Sequence, residues 1–82
     1  MLKETELQDA ICQWIEALPS GRVFTSDELY RLLEKNYPKE CEARGYTSNE
    51  PRYKNDARWG VRYSKARGIA RSTVRRATYQ RV

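Results

Sequence analysis

The sequence predicts one small α+β domain over residues 1–82, a three-helix core followed by a C-terminal β-hairpin. Apolar residues recur at helical spacing in three segments, and the residues after Gly68 alternate as strands do. At 82 residues the chain lies near the lower limit at which one core is self-sufficient, so a homodimer or a bound partner is an available source of further stability. With 39% apolar and 33% charged residues, the composition is that of a folded domain rather than a disordered tail.

The first predicted helix runs from Glu6 to Leu18. Thr5 and Gln8 have the spacing of a capping box, and Pro19 stops the helical run. The apolar stripe of this helix comprises Leu7, Ile11, Trp14, Ile15 and Leu18. Its other face, which is polar and would repel phosphate, carries Glu6, Asp9, Gln13 and Glu16. The first helix is therefore expected to be scaffold.

A single rung of strand at residues 22–24 is predicted to lead into a second helix, roughly from Ser26 to Asn36. Thr25 and Glu28 match the S/T-x-x-E capping box at its start, and Pro38 limits its extension. The buried stripe of this helix is formed by Leu29, Leu32 and Leu33. The segment after Pro38 is compatible either with one short helix that ends at Gly45 or with an irregular loop.

The third predicted helix runs from about Arg52 to Arg67, with Gly68 just beyond its end. At 100° per residue, the inward face is small and consists of Tyr53, Ala57, Gly60 and Ser64. The opposite stripe is basic and consists of Lys54, Arg58, Arg62 and Lys65. Gly60 in mid-helix costs about 1 kcal/mol relative to Ala, which close packing would explain. Trp59 and Tyr63 lie at the boundary of the two faces and are expected to pack in the core or against the hairpin.

The C-terminal segment predicts a hairpin with two arginines at its tip. Residues 69–74 are rich in β-branched and small side chains, Arg75 and Arg76 interrupt them, and an alternating pattern resumes from Ala77 to Val82. The tip could reach a phosphate or a minor groove.

Charge divides this chain in two. Up to Pro51 there are 6 Lys or Arg and 10 Asp or Glu, whereas from Arg52 onward there are 10 Lys or Arg and a single acid, Asp56. A cationic segment of this kind favours a polyanion, because each Lys or Arg placed on a phosphate releases condensed counterions. Nucleic acid is the partner that the charge distribution favours.

The residue types argue against catalysis and against a cofactor or metal. The chain has no His, and Cys12 and Cys41 lie too far apart for a tetrahedral zinc site, so both are expected to be reduced thiols. Absence of His also removes the usual general base, and we expect no enzyme activity. No signal peptide and no membrane span are apparent, which predicts a cytoplasmic protein.

The order of helix, short strand, helix, basic helix and hairpin is that of a winged helix-turn-helix. Three segments carry a closer resemblance: Asn-Asp-Ala-Arg-Trp-Gly at 55–60, Gly-Ile at 68–69 and Arg-Ala-Thr-Tyr at 76–79. In these the chain resembles the N-terminal winged-helix domain associated with Mrr-type restriction endonucleases. That family shows a pattern like Asn-Arg-Val-x-Trp-Ala, a Leu four to five residues later, Ala-Gly-Leu, and Arg-Gly-x-Trp or Tyr in the wing.

The resemblance covers roughly residues 53–79 and implies a DNA-binding role. The chain departs from the family pattern at Ser64, where the family has Leu, at Arg67, where it has Ala, and at Ala77, where it has the wing Gly. No nuclease domain follows Val82, so the family's cleavage activity is not expected here.

The predicted interface with double-stranded DNA places the third helix in the major groove and the hairpin on the backbone or in the minor groove. Its residues are Lys54, Asn55, Arg58, Arg62, Lys65, Arg71, Arg75 and Arg76. Asn55 and Arg58 are the candidates for base contacts through bidentate pairing, although both could instead hold phosphates or cap the helix. The stripe contains no acidic residue, and Arg81 is expected to join the arginines of the hairpin on the DNA backbone.

Three other functions remain open on the sequence. The basic end could dock on an acidic protein partner, since fold does not dictate function. An RNA-binding module would use Trp59, Tyr63 and Tyr79 for stacking. The third function is that of a metal-dependent nuclease, because Asp56, Glu50 and Lys54 faintly resemble the acidic and basic clusters of such enzymes.

Overall fold

The computed structural model describes residues 6–46 and 49–82 and confirms the α+β class. In these residues the chain forms four helices and one three-stranded antiparallel sheet. The elements in chain order are α1 (Glu6–Glu16), β1 (Val23–Thr25), α2 (Ser26–Asn36), α3 (Pro38–Arg44), α4 (Arg52–Ala66), β2 (Ala70–Ser72) and β3 (Thr78–Arg81). The expected capping residue Thr5 lies outside the described residues. None of the four helices combines the length and apolarity that crossing a bilayer requires.

Helix α1 supplies one wall of the core through its predicted apolar stripe. Leu7, Ile11 and Ile15 are buried, and Trp14 and Leu18 pack partly exposed at the edge of the same cluster. The helix ends at Glu16, two residues earlier than predicted. The Leu18 N–H donates to the Ile15 carbonyl only three residues back (3.0 Å), which tightens the chain after the last regular turn.

Helix α2 begins and ends where the sequence predicts. The Thr25 hydroxyl accepts a hydrogen bond from the Glu28 N–H (3.2 Å), as in the expected capping box. Leu29 and Leu33 are buried, and Leu32 is partly exposed at the edge of the core. The α2 stripe thus faces the same core as the apolar stripe of α1.

The segment after Asn36 forms a short helix, α3, which decides between the two structures that the sequence left open. Pro38 occupies its first turn, where its missing N–H breaks no hydrogen bond. Cys41 is buried against the core, and Gly45 ends the helix with a positive φ of 71°.

Helix α4 turns the small residues of its predicted inward face toward the core. Ala57, Gly60 and Ser64 are buried, while Tyr53 is partly buried and its hydroxyl donates to the Glu34 carboxylate of α2. Asp56 and Val61 are buried as well, so the inward face is wider than predicted. The helix ends at Ala66, and Gly68 follows with a φ of 76°.

The sheet has the strand order β1-β3-β2, so the last strand is central. Tyr79 of β3 faces Phe24 of β1 on one side and Ser72 of β2 on the other. The Phe24 and Tyr79 rings pack with their centroids 5.7 Å apart, and Trp14 meets Phe24 edge to face at 5.8 Å. Strand β1 therefore joins the hairpin to the helical core through buried Phe24.

Candidate nucleic-acid interface

The single acid of the C-terminal segment points away from solvent. Asp56 is 1% exposed, and its two carboxylate oxygens accept hydrogen bonds from Nε and Nη2 of Arg44 at 2.8 and 3.2 Å. This bidentate ion pair with Arg44 compensates the charge of the buried Asp56 carboxylate. Residues 52–82 therefore carry ten cationic side chains and expose no carboxylate side chain on their outer surface.

The outer face of α4 carries the predicted basic stripe. Arg58, Arg62 and Lys65 are exposed, and Lys54 is partly buried. The Lys54 ammonium lies 5.2 Å from the ring centroid of Tyr30, a cation–π contact with α2. The stripe thus begins in contact with α2 and runs along α4 into solvent.

Arg58 is held by two partners, and one of them is an acid from outside the stripe. It forms an ion pair with Glu50, which precedes α4, and its Nη1 donates to the Tyr30 hydroxyl at 3.1 Å. The hydrogen bond from Arg58 lowers the pKa of Glu50, and the same bond raises the pKa of Arg58. Both groups are therefore held in their charged forms.

Trp59 and Tyr63 are exposed and do not belong to the buried core, so the prediction that they are core residues was wrong. Trp59 is 37% exposed and Tyr63 is 46% exposed. Their ring centroids lie 5.7 Å apart, and the Arg62 guanidinium lies over the Trp59 ring at 4.9 Å. These three residues, hereafter the aromatic cluster, form a continuous patch on the outer side of α4.

The structure brings the two candidate base-reading residues together with this cluster. Asn55, Arg58, Trp59 and Arg62 line one open cavity of about 240 Å³. Asn55 is partly buried in the first turn of α4, but it is not the helix cap, since that position belongs to Pro51. The amide of Asn55 and the cations of the stripe therefore face one surface.

The hairpin carries three further predicted contact residues, Arg71, Arg75 and Arg76. Arg71 is exposed, and its Nε and Nη2 donate to the Gln80 side-chain oxygen at 3.0 and 2.6 Å. Arg75 and Arg76 are exposed in the loop between β2 and β3, as expected for the tip. Arg76 also lines a cavity of about 170 Å³ beside the N-terminus of α2.

Arg81 does not join the other arginines of the hairpin, contrary to expectation. It is partly buried, and its Nη2 donates to the Glu16 carbonyl at the end of α1 (3.3 Å) while Nη1 donates to the Val82 carbonyl (2.8 Å). A cation at a helix C-terminus stabilises the exposed carbonyls there. Arg81 is therefore a structural contact between β3 and α1.

The nuclease-like trio does not assemble, because Asp56 turns inward to Arg44 while Glu50 pairs with Arg58 on the outer face. Tyr79, one of the three proposed stacking residues, packs on Phe24 and is only partly exposed. In residues 6–46 and 49–82 no three metal-ligating side chains form a cluster, and Cys12 and Cys41 are both free thiols.

Sequence reasoning missed that Tyr30 and Glu50 both hold Arg58. Tyr30 follows the buried Leu29 on α2 and gives no signal of its own, and Glu50 lies in the turn before α4, whose path the sequence does not specify.

No family model, curated protein or solved structure matches this chain.

Proposed function

We propose that this chain is a winged-helix domain that binds double-stranded DNA. In this proposal α4 enters the major groove, and the hairpin of β2 and β3 contacts the backbone or the minor groove. The domain would act as a small regulator or as a stand-alone recognition subunit, in line with its resemblance to the Mrr-type N-terminal domain.

The observation that carries the proposal is the one-sided charge of residues 52–82. Ten cations stand against one acid, and that acid, Asp56, is buried on Arg44. A solvated helix face commonly mixes both signs of charge, whereas a face that binds phosphate gains from cations alone. Arg62 and Lys65 supply such a face within about one turn of α4, and Arg58, which is paired with Glu50, adjoins it.

The element order gives the second support. Helix α4 is followed directly by the hairpin, and β3 pairs with β1, the strand that lies between α1 and α2 in the chain. In winged helices this connectivity sets the basic helix and the hairpin tip as two contact points on one duplex. Arg75 and Arg76 are exposed at that tip.

The test is fluorescence anisotropy of labelled duplex DNA, single-stranded DNA and RNA of equal length, titrated with the protein across a range of salt concentrations. We expect preference for the duplex and a linear fall of log affinity with log salt. Arg62→Ala should weaken duplex binding and reduce the salt slope by about one unit, because one phosphate contact is lost.

Lys39→Ala is the matched control, because it removes the same charge from the exposed surface of α3. Equal losses in Arg62→Ala and Lys39→Ala would contradict the assignment of α4. Failure to bind any duplex, together with a stable complex with an acidic protein, would favour the protein-docking function instead.

A further inference from the structure

We infer that α4 carries a stacking site for an unpaired nucleobase, built on Trp59 and bordered by Arg58 and Arg62. The inference rests on the proposed DNA-binding function and narrows its substrate to DNA with an unstacked nucleotide, such as a bulge or the junction of a duplex with a single strand. Nothing in the winged-helix geometry of the proposal requires such a site, so it is an additional property of this chain.

The starting observation is the exposure of two large aromatic rings on α4, whose buried side chains include no aromatic residue. Trp59 and Tyr63 leave 37% and 46% of their surfaces in solvent. They touch each other, with centroids 5.7 Å apart and planes tilted by 36°, and so form one patch rather than two scattered side chains. Exposed aromatic patches commonly mark a binding surface.

The chemistry around the rings favours a nucleotide. Arg62 covers part of the Trp59 ring at 4.9 Å, and Arg58 lies across the cavity of about 240 Å³ that both residues line. The Trp59 ring offers a face for a base, Arg62 offers charge for an adjoining phosphate, and Arg58 can exchange its partner Glu50 for a second phosphate. Asn55 lines the same cavity and adds an amide that can hydrogen-bond a base edge.

A base inside a continuous duplex cannot use this site, because both of its faces are already covered by neighbouring bases. A major groove exposes base edges only. An extruded base has free faces, and removing it from the stack costs least where it is unpaired. The cluster therefore distinguishes DNA with an unpaired base from a perfect duplex.

The charges around the aromatic cluster also predict on which side of Trp59 the phosphate backbone of the bound strand lies. On the α1 side, Tyr63 lines a different cavity together with Asp9 and Glu16, and Glu16 lies 3.8 Å from Arg67 in an ion pair. The acids of α1 repel phosphate, whereas the Arg58 and Arg62 side attracts it. The backbone is thus expected to run along Arg58 and Arg62, with the base turned toward Trp59.

The test uses the full chain as a Trp14→Phe variant, in which Trp59 is the only tryptophan. Phe keeps an aromatic ring on Phe24 at the edge of the core. Four oligonucleotides are compared by anisotropy and by Trp59 emission: a perfect duplex, the same duplex with one unpaired thymine at its centre, the thymine-containing strand alone, and an RNA strand of the same sequence. We expect the bulged duplex to bind about tenfold more tightly than the perfect one and to quench Trp59 emission.

For the anisotropy measurement, Trp59→Leu is the test variant and Tyr37→Leu is its control. Both are made in the protein that retains Trp14. Tyr37 is equally exposed, at 37%, but lies at the end of α2. Trp59→Leu should bind both duplexes equally, and Tyr37→Leu should keep the tenfold preference. Circular dichroism verifies that both variants are folded.

The outcomes separate this inference from the proposed function. Binding of both duplexes with equal affinity would overturn the stacking site and leave duplex binding intact. Quenching by the single strand without any binding of the perfect duplex would support the site and overturn the duplex function. Tighter binding of an RNA strand of the same sequence would overturn the assignment to DNA, and no binding of any oligonucleotide would overturn both.

Discussion

Gly60 of α4 lies against Ile11 of α1 so closely that a β-carbon on Gly60 would stand 2.7 Å from both Cβ and Cγ2 of Ile11. The same carbon would stand 3.0 Å from the Gln8 carbonyl oxygen. The absence of a side chain at position 60 is therefore what lets α1 and α4 pack at this distance. This contact accounts for a glycine in mid-helix.

We predict that Gly60→Ala lowers the free energy of unfolding by up to about 2 kcal/mol. Overpacking of this kind costs about 1–3 kcal/mol, and the better helix propensity of Ala offsets about 1 kcal/mol of that. Urea denaturation followed by circular dichroism measures the change. In an Ile11→Ala background the Cγ2 contact is gone while the Cβ contact remains, so Gly60→Ala should cost less. An equal cost in both backgrounds would show that the Cγ2 contact does not determine the effect.

Local signals predicted much of the fold. The capping box at Thr25, the apolar stripe of α1 and the glycine after α4 depend on neighbours within a few residues, and each is found where the sequence places it. The small inward face of α4 was also predictable, because helical spacing alone brings Ala57 and Gly60 to one side.

The site was less predictable because its contacts depend on tertiary packing. Asp56 lies at the edge of the inward face by helical spacing, and it is buried because Arg44 on α3 reaches it. The contact of Gly60 with Ile11 leaves no space between α1 and α4 for the large ring of Trp59, which therefore faces solvent. Neither the position of Glu50 beside Arg58 nor the approach of α1 to α4 is encoded in a short motif.

We predict that Ala77→Gly raises the free energy of unfolding by about 0.5–1 kcal/mol. Ala77 has a φ of 54°, a left-handed conformation that costs a residue with a β-carbon about 1–2 kcal/mol. Glycine relieves that cost but loses more entropy on folding, which leaves a smaller net gain. Thermal denaturation should show a higher Tm. Val74→Ala in the same loop is the control, since that side chain is fully exposed and its removal should leave Tm unchanged.

We predict that stability falls between about pH 9 and pH 11 because of Cys41. Burial raises the pKa of this thiol from 9.0 to about 11, and the nearby carboxylates of Glu34, Glu40 and Asp56 act in the same direction. In the unfolded chain the thiol loses its proton first, so the folded state binds more protons in this window and stability decreases as the pH rises. Below pH 9 the contribution is fully present.

The Cys41→Ala variant should lose less stability than the original protein over the same pH window, as measured by urea denaturation at about pH 8.5 and about pH 10.5. The other titratable groups are common to both proteins, so the difference between the two pH curves reports on Cys41. Parallel pH curves for the two proteins would show that Cys41 does not carry the effect.

We predict that Glu50→Gln strengthens duplex binding by about two- to fivefold and steepens the salt slope by up to about one unit. Glu50 neutralises Arg58 in the free protein, so a phosphate must compete with the carboxylate for that guanidinium. Glutamine keeps the shape of the side chain but removes the charge, which leaves Arg58 available to the DNA. Anisotropy with a labelled duplex across a range of salt concentrations measures both quantities.

Glu42→Gln is the control for this prediction, because it changes the net charge by the same amount on the exposed surface of α3. A gain confined to Glu50→Gln would locate the phosphate contact at Arg58 and hence on the outer face of α4. An equal gain in both variants would mean that overall charge alone governs binding. No gain in either would place the DNA contact away from Arg58, since releasing this cation would then change nothing at the interface.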